Sequence, residues 1–100
     1  MLLVWSVIRS YRDARTRRFA GGERVPAFEG FRHQAEKRLR VLEAAASLWD
    51  LRQLPSNRLE ALVGDRKGQY SIRVNQQWRI SFEWPAGAGG AENVEIVDYH

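Results

Sequence analysis

Between Tyr70 and Trp84 the chain alternates apolar and polar residues, with one short break. Tyr70, Ile72 and Val74 alternate with Ser71, Arg73 and Asn75, and Trp78, Ile80, Phe82 and Trp84 alternate with Arg79, Ser81 and Glu83. A period of two marks strands with one buried face. The break, Asn75-Gln76-Gln77, has the length of a three-residue hairpin loop. With that loop Val74 faces Trp78, Ile72 faces Ile80 and Tyr70 faces Phe82, and these six form a core face; a two-residue loop would shift the partners. The other face then pairs Arg73 with Arg79 and Ser71 with Ser81. Two arginines directly across a strand pair repel by roughly a few tenths of a kcal/mol. An anion visiting that face would offset the repulsion; splaying of both side chains into water is the plainer alternative.

The remaining pattern fills in an α+β domain spanning residues 1–100. Ser6–Tyr11 reads as an edge strand. Asp13 can cap a short helix over Ala14–Phe19, which stops at Gly21-Gly22. A longer helix is expected over Phe31–Ala46, because Phe31, Ala35, Leu39, Leu42, Ala45 and Ala46 recur at helical spacing. Its other side carries Arg32, Lys37, Arg38 and Arg40. Such a cationic side ordinarily faces water; contact with phosphates is the functional alternative. Leu48–Arg52 is expected as a helical turn pinned to the core by Trp49 and Leu51. Leu59, Ala61 and Val63 alternate with Arg58, Glu60 and Leu62 as in a strand, and residues 64–68 form a turn. Val94–Tyr99 is the last strand. This order predicts an N-terminal strand, two helices packed on one face of a mainly antiparallel sheet, and C-terminal hairpins.

Composition narrows the chemistry. There is no cysteine, which excludes disulfides and thiolate metal sites, and the two histidines are His33 and His100. No metal and no cofactor is expected. Residues 1–79 carry all 16 basic and eight acidic residues, net +8, whereas residues 80–100 carry four acidic residues and no basic one, net −4. Arginine, which outnumbers lysine fourteen to two, is the better bidentate phosphate ligand; a GC-rich genome would give the same excess. The N-terminal MLLVWSVIRS is too short to span a membrane and lacks the layout of a signal peptide. It predicts a cytoplasmic protein without a membrane partner, with residues 1–6 an extension from an upstream start codon.

The chain ends in Asp98-Tyr99-His100. An aspartate can take or orient a proton, a histidine can give one near neutral pH, and a tyrosine can stack on a base. A metal-free ribonuclease needs one group to deprotonate the ribose 2′-OH, one to protonate the leaving 5′-oxygen, and cations for the scissile phosphate. His100, Asp98, Arg73 and Arg79 can supply these roles. A frayed terminal histidine without them would be inert.

At these residues the chain resembles the HigB toxins of the RelE/ParE superfamily. The matching segments are Val7-Ile8-Arg9-Ser10, Arg38–Leu51 (RLRVLEAAASLWDL), Leu54–Gly64 (LPSNRLEALVG), Asp65–Asn75 (DRKGQYSIRVN), Gln77-Trp78-Arg79-Ile80 and Val94–His100 (VEIVDYH). The resemblance implies a microbial-RNase-like fold and an enzyme that enters the ribosomal A site and cuts mRNA, without a metal, by 2′-OH attack. It also implies a HigA-like helix-turn-helix antitoxin as partner, 16S rRNA and mRNA as contacts, and operator DNA bound only through the toxin–antitoxin complex. On the family motif Asp98, Tyr99 and His100 are the functional C-terminal residues, and Arg79 holds the scissile phosphate. Arg73, Arg66, Lys67, Arg38 and Lys37 are the expected RNA contacts. One departure stands out: the family places a lysine before the Gly-Asp-Arg turn, where this chain has Val63, which predicts a weakened nuclease. The alternatives are a ParE-like toxin that inhibits gyrase without cutting RNA, and an RNA-binding module without catalysis.

Overall fold

A four-stranded antiparallel sheet in the order β1-β2-β3-β4 organises the chain, as seen in a computed structural model that describes residues 7–98. Its strands are β1 (Glu60–Ala61), β2 (Gln69–Arg73), β3 (Trp78–Glu83) and β4 (Glu92–Asp98). Among the described residues three α-helices precede them: α1 (Ala14–Ala20), α2 (Arg32–Ala44) and α3 (Leu48–Arg52). No helix among the described residues is long and apolar enough to cross a membrane.

The β2–β3 hairpin has the register its alternation predicts, with Tyr70 opposite Phe82, Ser71 opposite Ser81, Ile72 opposite Ile80 and Arg73 opposite Arg79. Val74 and Asn75 both donate their amides to the Trp78 carbonyl, which closes the turn. Ile72, Val74, Ile80 and Phe82 are buried together with Val94 and Ile96 of β4. Ala35, Leu39 and Leu42, on one stripe of α2, are buried in the same core. Phe28 meets Phe19 edge-on at 5.3 Å, and Phe31 stacks on Trp78 at 4.7 Å. Asp13 caps α1 by accepting from the Thr16 amide at 2.9 Å.

Four expectations are corrected. The N-terminal strand is reduced to an isolated parallel bridge between Tyr11 and Val94. Main-chain bonds do run from Arg9 to Ala91, from Arg12 to Val94 and from Val94 to Ser10. However, the Ser10 hydroxyl takes the Asn93 amide at 2.9 Å, and Asn93 is left-handed, so the ladder does not extend. Ser6 lies outside the described residues. The long helix is trimmed at both ends, because Pro26–Phe31 form a 3-10 segment that carries Phe28 and Phe31 inward and Ala45 leaves in an extended conformation. Trp49 is 66% exposed, whereas Leu51 is buried. Helical residues two positions apart, such as Trp49 and Leu51, lie about 200° apart around the axis, so the five-residue α3 buries only one of them. The strand expected over 58–63 shrinks to Glu60–Ala61. Arg58 is left-handed after the Pro55–Asn57 turn, and Val63, 84% exposed, already leads into the 3-10 turn Gly64–Arg66.

Candidate nucleic-acid interface at the hairpin tip

Asn75 builds the tip of the β2–β3 hairpin. Its side-chain oxygen accepts from the amides of Gln77 and Trp78, both at 2.8 Å, the self-bonding turn that asparagine favours. The turn holds Gln77 beside the end of β4, where Asp98 pairs with Trp78 in the sheet. Gln77 Nε2 then donates to Asp98 Oδ2 at 3.0 Å. Strand register and the Gln77 amide thus help to hold Asp98, an exposed carboxylate, at the hairpin tip. Tyr99 and His100 lie outside the described residues.

Arg79 pairs with Val97, the neighbour of Asp98, so strand alternation sends its side chain to the other face of the sheet. It is 6% exposed. Nε donates to Ser71 Oγ at 2.7 Å, while Nη2 donates to the carbonyls of Arg58 and Ser71 and lies 4.0 Å from a Glu60 carboxylate oxygen. Arg73, opposite it, turns the other way and donates Nε to the Asn75 carbonyl at 3.1 Å. The two arginines share a face and register, yet their guanidinium groups bind separate acceptors, which relieves the repulsion expected of a direct cross-strand pair.

Arg58, Glu60, Arg73, Asn75, Gln76 and Arg79 line a groove of roughly 350 Å³. Three arginines and one glutamate line it, so the groove favours an anion. On the other flank of the tip, Gly30, Phe31, Asn75, Gln76, Gln77 and Trp78 line a wider hollow of roughly 530 Å³. A cationic groove and an aromatic-walled hollow therefore share the residues of one turn. This combination can receive a phosphate on one side and a base or ribose on the other.

The other candidate residues scatter around this centre. Arg66 lies on the outer sheet face, where Nη2 bonds Gln69 Oε1 at 3.1 Å and Ser81 Oγ at 3.4 Å and sits 3.7 Å from Glu95. Lys67 follows it, exposed, in the turn before β2. Arg38 reaches from α2 to Asn57 Oδ1 at 2.7 Å and Ser56 Oγ at 3.4 Å. Buried Asn57 in turn donates to the Leu51 carbonyl, so Arg38 fastens the loop that leads to Arg58. Lys37 is exposed on α2. Arg32, expected on the same cationic side, pairs with Glu36 at 3.4 Å and Glu29 at 3.9 Å. The sequence reading omits Arg58 from the site. The Pro55-Ser56-Asn57 run before it signals a turn, but not that its backbone turns left-handed or that Arg79 seizes its carbonyl.

Comparisons with known proteins place this geometry. The fold is that of a small bacterial toxin: a YoeB/ParE toxin from Agrobacterium tumefaciens superposes with a TM-score of 0.50 at 14% identity, over 93% of this chain and 97% of that one. The model of the HigB-like toxin family, described as the RelE-like toxin of the type II toxin-antitoxin system HigB, matches residues 7–100. The chain belongs to that family. It is similar to Toxin HigB-1 of Vibrio cholerae, 49% identical over 51 residues, which cover 51% of this chain and 54% of the relative. It is also similar to Endoribonuclease HigB of Proteus vulgaris, 39% identical over 64 residues, 63% of this chain and 65% of the relative. The aligned stretches thus span between about half and two thirds of these relatives.

Proposed function

We propose that the chain is a cytoplasmic, ribosome-dependent mRNA endonuclease, the toxin of a pair whose antitoxin is a HigA-like helix-turn-helix protein. Asp98 held at the hairpin tip by Gln77, with a groove of three arginines on the opposite face of the sheet at the same tip, carries the reading. Membership of the HigB-like family supports it, as does the likeness to Endoribonuclease HigB of Proteus vulgaris.

In the reaction the ribose 2′-oxygen attacks the adjacent phosphorus and the bond from phosphorus to the 5′-oxygen breaks. The products are a 2′,3′-cyclic phosphate and a 5′-hydroxyl. Asp98 takes the proton of the 2′-OH, His100 protonates the leaving oxygen, and Tyr99 stacks on a base. Arg79 and Arg73 provide the cationic field for the phosphate. Arg66, Lys67, Arg38 and Lys37 contribute charge toward mRNA and 16S rRNA, and operator DNA is met only through the antitoxin complex. No metal or cofactor enters the scheme. Val63 supplies no cation at the tip of its turn, so the rate falls below that of a lysine-bearing relative by about 100- to 1000-fold.

Growth after induction tests the proposal. Wild type is expected to arrest growth, co-expression of the neighbouring helix-turn-helix gene to relieve the arrest, and His100→Ala to abolish it. Full toxicity of His100→Gln would instead favour a gyrase inhibitor.

A further inference from the structure

We propose that Arg58 and Arg73 form a phosphate clamp across the groove, and that Arg79 beneath them is a positioning residue that holds Arg58 in place. The inference rests on the reading of RNA as the substrate and adds a residue and a division of labour to it.

Three observations carry it. Arg58 is a non-glycine residue at φ 45°, ψ 54°, a conformation that costs about 1 kcal/mol or more for a bulky side chain. Glycine or asparagine would relieve that strain, but neither would place a guanidinium in the groove. Next, the carbonyl of this strained residue is gripped by the guanidinium of a buried arginine, and the preceding Asn57 is gripped by Arg38. Two cations thus fix the main chain that presents a third. Finally, of the three arginines that line the groove, Arg79 lies within ion-pair distance of Glu60, whereas Arg58 and Arg73 form no ion pair among the described residues. Arg73 keeps Nε on the Asn75 carbonyl, which fixes the plane of a fork suited to phosphate oxygens. Arg79 has already committed Nε and Nη2 to Ser71 and Arg58. It acts on the phosphate through its field and through Arg58.

The test uses full-length protein and a short RNA whose riboses are 2′-O-methylated and therefore uncleavable, with binding followed by fluorescence anisotropy over a salt series. Arg58→Gly keeps the carbonyl that Arg79 needs and relaxes the backbone. It is expected to leave the urea midpoint unchanged or raised while weakening RNA binding about ten- to hundredfold. The slope of log K against log salt should fall by about 0.7, as for one lost contact to a single strand. Arg73→Gln should weaken binding comparably, and Arg58→Lys should restore part of what Arg58→Gly loses. Arg18→Gln, which removes an exposed charge on α1, should change affinity less than twofold. Wild-type affinity in Arg58→Gly, a loss no larger than that of Arg18→Gln, or no saturable binding by wild type would overturn the clamp. Cleavage is scored separately. Arg58-dependent binding with intact ribosome-bound mRNA would remove the nuclease reading and keep the clamp. An Arg58→Gly protein that binds and cuts like wild type would do the reverse.

Discussion

Arg79 reaches from β3 past Ser71 to place Nη2 on the carbonyl oxygen of Arg58, joining the middle of the sheet to the strained residue before its edge strand. A charged side chain at 6% exposure is stable only when its donors find acceptors. Arg79→Met should therefore cost about 2–3 kcal/mol, because Ser71 and Arg58 lose a charged donor in a buried place. Urea unfolding checks this. Arg79→Lys should recover less than half, since an ammonium cannot reproduce the fork. A change below 0.5 kcal/mol in Arg79→Met, roughly that of an ordinary surface substitution, would contradict a structural role for this residue.

Val63 stands at the opposite extreme, 84% exposed and one residue before the 3-10 turn at Gly64. Val63→Lys should leave stability within about 0.5 kcal/mol of wild type and raise the cleavage rate on ribosome-bound mRNA by about 100- to 1000-fold. Single-turnover cleavage at saturating protein measures it. An unchanged rate would show that this position has no part in the reaction here.

Glu43 provides a pH-dependent prediction away from the site. Burial raises its carboxyl pKa, and the charge of Arg40 offsets that rise only in part. A carboxyl whose folded pKa lies above the unfolded value binds protons more tightly in the native state. Its contribution to stability is therefore lost as pH rises from the unfolded to the folded pKa. Glu43→Gln should raise the melting temperature at pH 7, and the gain should vanish as pH falls below the ordinary carboxylate range. Burial and then the charge of Glu43 also raise the pKa of Tyr11, so the same variant should shift one tyrosine titration downward. A melting temperature lower at pH 7 than that of wild type would refute the assignment.

Gly90 is where the N-terminal segment crosses the loop before β4. A Cβ there would stand 1.6 Å from the Val7 carbonyl oxygen and 2.7 Å from its carbon. Main chain cannot yield as a side chain can, so Gly90→Ala should destabilise by about 3 kcal/mol or more. Equilibrium unfolding checks the size, and a neutral substitution would mean that residues 7–9 do not run where Arg9 bonds Ala91.

The cross-strand pairs of the β2–β3 hairpin were legible in the sequence once its loop was given three residues, because a period of two then fixes the register. The α1 cap at Asp13 was legible for a similar reason: capping is local chemistry. The exposure of Trp49 was not, since hydrophobicity says that a side chain favours the core but not which side of a five-residue helix meets it. Nor was the division of labour among the arginines. Arg73 and Arg79 share a register, yet one lies under an edge strand whose course depends on the left-handed turn at Arg58. That turn depends on Arg38 and Asn57, about twenty positions apart in the chain. The roles proposed for Asp98, Tyr99 and His100 rest on their chemistry and the family resemblance, to which the structure adds the tie from Gln77 to Asp98.

The central claim is tested most directly by mapping mRNA ends on purified translating ribosomes incubated with the protein. The account predicts discrete cuts at the A-site codon, each leaving a 2′,3′-cyclic phosphate and a 5′-hydroxyl, absent with His100→Ala and far slower on the same mRNA without ribosomes. Intact mRNA in the presence of wild type, or equal cutting by His100→Ala, would contradict it.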